Sequence, residues 1–101
     1  MKLKLSHTEF TALLKMFVAI VLPYEDNSIT GIIEKAVLMQ IYEKLFKQSV
    51  PTKTKYNIKI TTAEAASFFQ FWQRHQFSNP ASYEANLVRI TNNLIHQKLI
   101  V

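Results

Sequence analysis

Three histidines, His7, His75 and His96, are the side chains best suited to proton transfer near neutral pH. Their spacing matches no metal-ligand pattern. His7 stands two residues before Glu9, which suggests an acid–base pair. Glu9, however, fills the third helical position of a capping box and is already engaged there. Glu25 and Asp26 fall in a turn, where solvation or a weak cation site is the most they suggest. Gly31 is the only glycine, and a phosphate-cradling loop needs several. Cysteine is absent, which excludes disulfides, iron–sulfur clusters and thiolate zinc sites. No nucleophile signature occurs. These residues predict a protein that is not an enzyme, with no catalytic residue, cofactor, metal or small-molecule substrate.

Binding chemistry is better represented. Lys44, Lys47, Lys53, Lys55 and Lys59 follow one another with no acidic residue until Glu64. Five phosphate contacts would give a salt slope of about −4.5 on duplex DNA. The alternative is a solvated helix end and linker, since the helix dipole favours lysines near a C-terminus. The net charge of +5 suits nucleic acid or acidic partners and also occurs in small proteins that bind neither. Phe68, Phe69, Phe71, Trp72 and Phe77 could stack on bases. Their helical spacing favours core packing, leaving Phe71 or Phe77 as an exposed interface anchor.

The elements that must position these groups come from the hydrophobic pattern. The chain has 101 residues, 49% apolar and 19% charged, with one glycine and three prolines. That length predicts a single domain, 1–101, able to bury a core without staples. Scarce glycine and proline favour helices over a many-turned β fold. The apolar run at 16–22 is interrupted upstream by Lys15 and Glu9 and has no cleavage site after it. No run approaches the roughly 18 residues of a membrane span. A cytoplasmic location is expected.

In order, residues 2–5 alternate as a half-buried strand, with Leu3 and Leu5 inward. Ser6 and Glu9 form a capping box, and a helix follows from 7 to about 22, carrying Phe10, Leu13, Leu14, Phe17 and Val21 on one stripe. Pro23 ends it. Asn27 or Ser28 caps a long helix over 29–48, with Ile33, Val37, Ile41 and Leu45 as its inward stripe. After a linker containing Pro51, residues 55–60 alternate again, with Ile58 and Ile60 inward. Thr61 and Glu64 form a second capping box, and a helix follows to about 75 with Ala65, Phe68, Phe69 and Trp72 inward. Asn79-Pro80 reads as the cap and first residue of the last helix. Leu87, Ile90, Leu94, Ile95 and Leu99 form its core side; Arg89, Asn92, Asn93 and Gln97 face out.

The fold expectation is therefore mainly α with a short two-stranded β-ribbon and four helices. A β-α-α unit is repeated, once in 1–50 and once in 55–101. The strands and first helices align at an offset of 55 residues (Ser6 on Thr61), and the second helices at 54 (Ser28 on Ser82). Strand, cap and amphipathic helix also recur by chance, so the repeated order does not require a duplicated ancestor. A pseudo-twofold arrangement would lay an antiparallel ribbon over a four-helix bed, with Lys2, Lys4, Lys55, Asn57 and Lys59 on the outer face.

That layout resembles the ribbon-helix-helix family of DNA-binding proteins. Lys2-Leu3-Lys4-Leu5 stands where the family has its strand, and Ser28-Ile29-Thr30-Gly31-Ile32-Ile33-Glu34-Lys35-Ala36-Val37 is similar to its second-helix opening. The resemblance implies that the ribbon's outward side chains enter the major groove. Lys2 and Lys4 would read bases, with Asn57 and Lys59 as partners, and the second helix's first amides would hold a phosphate. The sequence departs from the family in carrying both strands in one chain and Asn79-Pro80 at the second turn. Two functions remain open: a non-enzymatic interaction or scaffold protein forming a homodimer or binding a protein partner, and a nucleic-acid binder of ribbon-helix-helix type. The first rests on surplus apolar surface on the first two helices.

Overall fold

The structure, a computed structural model, describes residues 1–99. Strand β1 (Lys2–Ser6) leads into helix α1 (His7–Met16), whose last turn widens into a π-helical segment, Phe17–Val21. Helix α2 (Ile29–Gln48) follows, then β2 (Lys55–Lys59), α3 (Thr62–Arg74) and α4 (Tyr83–Leu99). The two strands pair antiparallel within the chain, Leu3 opposite Ile58 and Leu5 opposite Tyr56. The mainly α fold with one β-ribbon is thus the observed architecture.

Both capping boxes form. Ser6 Oγ accepts from the Glu9 amide at 3.2 Å while Glu9 Oε1 accepts from the Ser6 amide at 2.8 Å. Thr61 and Glu64 repeat this at 3.1 and 2.8 Å. Each strand therefore turns into its helix with the orphan amides satisfied on the spot. The second helices start alike as well: Ser28 Oγ accepts from the Gly31 amide, and Ser82 Oγ from the Ala85 amide.

The core forms where the ribbon's inner face meets the helices. Leu3, Leu5, Tyr56 and Ile58 cover Phe10, Leu13, Phe17, Phe68 and Trp72. Phe10 stacks on Tyr56 with centroids 3.8 Å apart, and Phe17 sits against both Phe68 and Trp72. Tyr56 keeps its hydroxyl satisfied by accepting from the Lys53 amide. Burial follows the offset of 54 between the second helices: Gly31, Glu34, Leu38 and Ile41 on α2 match Ala85, Val88, Asn92 and Ile95 on α4.

Several faces depart from the periodicity. On α2 the inward stripe is Glu34, Leu38, Ile41 and Leu45; Ile33 points outward and Val37 is half-buried. The helix is apolar on more than one side, so pattern alone could not choose between faces. The Glu34–Arg74 ion pair with α3 accompanies the observed choice. On α4, Ile90 and Leu94 are exposed while Asn92 is buried. That helix also starts at Tyr83, because Asn79 closes a turn with Ala81 and Ser82 caps instead. Phe71 is buried and Phe77 half-buried, so neither is a free anchor.

Candidate functional site

The ribbon's outer face is built by strand alternation. Leu3, Leu5, Tyr56 and Ile58 point into the core, so Lys2, Lys4 and Ser6 of β1 and Lys55, Asn57 and Lys59 of β2 must point out. All six are exposed. Lys2 lies opposite Lys59, Lys4 opposite Asn57, and Ser6 opposite Lys55. Four ammonium groups thus share one face with an amide and a hydroxyl, and neither strand contains an acid. The like-charged Lys2–Lys59 pair works against the ribbon's own stability.

The lysines before the second strand are not equivalent. Lys44 is committed internally: its Nζ donates to Glu64 Oε1 at 2.5 Å and to the Lys59 carbonyl at 2.9 Å. One ammonium therefore joins the end of α2, the end of β2 and the start of α3. Burial of Glu64 works to raise the pKa of its carboxyl, and the hydrogen bonds from Lys44 and Thr61 outweigh this, leaving it below the ordinary value. Lys47 and Lys53 are exposed, Lys53 Nζ standing 5.7 Å from the Tyr56 ring centre.

The start of α2 lies at the other end of that helix from the ribbon. The last turns of α2 lie at the ribbon, where Gln48 Nε2 donates to the Asn57 carbonyl. A helix of 20 residues is about 30 Å long, so its first amides lie far from the lysines. The cap residue before them already has an anion. Asp26 Oδ1 accepts from the Ser28 amide, and that bond above all holds the Asp26 carboxyl below its usual pKa. Gly31 makes room for this carboxylate: a Cβ there would stand 2.2 Å from Asp26 Cγ.

The outer face of α2 presents a second surface. Ile29 is 76% exposed, Ile32 57% and Ile33 59%, and Ala36 continues the same face one turn on. None of the four is charged.

The histidines are dispersed. His7 opens α1 beside Tyr56, His75 closes α3 among Phe71, Trp72 and Phe77, and His96 stacks on Phe69. Among the described residues no three His, Asp or Glu side chains gather as metal ligands would. No helix among them is long and apolar enough to cross a membrane.

Sequence reasoning missed Tyr56 as a core residue, the Glu34–Arg74 pair, and the internal role of Lys44. Tyr56 sits on the inward parity of its strand and could have been found. The two ion pairs span 40 and 20 residues and left no local signal. Comparison with protein-family models, curated proteins and solved structures returns no match.

Proposed function

We propose that this chain is a non-enzymatic, cytoplasmic interaction protein that pairs with a second copy of itself through the outer face of α2. The observation that carries the reading is the exposure of Ile29, Ile32 and Ile33 on one face of a well-capped helix. A twofold dimer needs the same self-complementary patch on both copies. This face buries no charge when it meets its own image, and Ala36 lets two helices approach closely. The test is the oligomeric state, read by light scattering and analytical ultracentrifugation across micromolar to submillimolar concentration. A dimer is expected, and Ile32→Glu with Ile33→Glu should abolish it while leaving the helix intact, because both sites are exposed and glutamate is a good helix former. A wild-type monomer throughout the range would refute the reading.

One observation favours a second reading, nucleic-acid binding by the ribbon. Lys2, Lys4, Lys55 and Lys59 share an exposed face that carries no acid, with Asn57 among them. Four phosphate contacts would give a salt slope of about −3.6 on duplex DNA. Titration at two salt concentrations tests this. Replacing the four lysines with glutamate should remove binding, and binding that survives the replacement would rule the ribbon out.

A further inference from the structure

The two edges of the ribbon are unlike. Met1 and Ile60 exchange both backbone hydrogen bonds, and the antiparallel register alternates from there. Leu3–Ile58 and Leu5–Tyr56 are therefore bonded pairs, whereas Lys2, Lys4, Asn57 and Lys59 turn their N–H and C=O groups to the outer edges. On β2 the outward carbonyls of Asn57 and Lys59 are taken: Lys44 donates to Lys59 and Gln48 to Asn57. The repeat places Lys98 of α4 where Lys44 stands on α2. Lys98 instead lines an open groove of about 680 Å³ between β1 and α4. Leu87, Ile90 and Leu94 give the groove an apolar wall, and Ile90 and Leu94 are exposed.

We propose that the edge of β1, free among the described residues, with the groove beside it, takes up an extended acidic segment of a partner protein as a third strand. Strand addition supplies the main-chain bonds that Lys2 and Lys4 offer, and alternate side chains supply specificity. Side chains on the helix side would lie against Leu87, Ile90 and Leu94; those on the other side would stand beside Lys2 and Lys4. The matching segment alternates apolar and acidic residues. Charge selects it, since opposite charges across neighbouring strands stabilise and like charges destabilise. A second copy offering its own β1 would set lysine against lysine, so the edge disfavours self-pairing. Glu9 also lines the groove, but its Oε1 already accepts from the Ser6 amide.

The test uses the full chain and a capped peptide of about eight residues alternating glutamate and valine. A blocked peptide with all glutamates before all valines has the same composition and charge. Anisotropy should show the alternating peptide binding at least ~10-fold more tightly, and NMR-detected amide exchange at Lys4 should slow at least ~10-fold on saturation. Leu94→Glu should weaken binding at least ~10-fold without threatening the fold, because Leu94 is exposed. Lys4→Pro removes an edge donor that the β1–β2 ladder does not use and should act likewise. Equal binding of the blocked peptide, an unprotected Lys4 amide, or an unaffected Leu94→Glu variant would each overturn the proposal. So would binding of duplex DNA in place of the peptide, with no Lys4 amide protection.

Discussion

Leu3 and Ile58 face each other across the ribbon, and they are the one cross-strand pair that the 55-residue offset maps onto itself. The same offset carries Lys2–Lys59 onto Asn57–Lys4, which is also a pair in the register. The ribbon's local twofold axis therefore passes between Leu3 and Ile58.

Ile58 is fully buried at that axis. Ile58→Ala should destabilise the protein by about 3 kcal/mol through lost burial and the cavity left behind. Urea unfolding followed by circular dichroism checks this. Because Ile58 packs where the two halves meet, a single cooperative transition should shift as a whole.

Lys44→Met leaves Glu64 enclosed without its cation. A loss of about 2 kcal/mol is expected at neutral pH, below the range for a fully enclosed pair because Lys44 is 36% exposed. The pKa of Glu64 in the fold lies below its ordinary 4.5. Its contribution is therefore present above that pH and is lost as pH falls through the folded value. The stability gap between wild type and variant should narrow below pH 4.5, measured by urea midpoints across the acid range.

Gly31→Ala tests the packing at the start of α2. Alanine normally stabilises a helix relative to glycine. Here its Cβ would collide with Asp26 and displace the carboxylate from the Ser28 amide. The urea midpoint should fall rather than rise, and a rise would show that Asp26 moves aside freely.

Asn92 is the counterpart of Leu38, buried on α4 with its Oδ1 lacking a partner among the described residues and its Nδ2 donating at 3.4 Å to the Phe69 carbonyl. Asn92→Leu should raise stability by about 1 kcal/mol, because an unpaired buried acceptor is removed and apolar burial gained. A thermal melt compares the two proteins.

The ribbon and the two capping boxes were readable because their signals are local: alternation over a few residues, then a hydroxyl and a glutamate at fixed spacing. The inward faces of α2 and α4 were not. Ile33 and Leu38 are equally good core residues by type, and only contacts from distant elements separate them. Asn92 goes inward against its polarity for the same reason. The lysine ribbon was identified residue by residue, whereas the groove beside β1 had no signal, since it exists only where α4 fails to repeat what α2 does at β2.

The covered margin of β2 makes the ribbon one-sided. The carbonyls of Asn57 and Lys59 are already held by Gln48 and Lys44, so the two sides of the sheet are not equally accessible to another strand. The last turns of α2 thus act as a guard on that margin, shielding it from edge-to-edge pairing between copies.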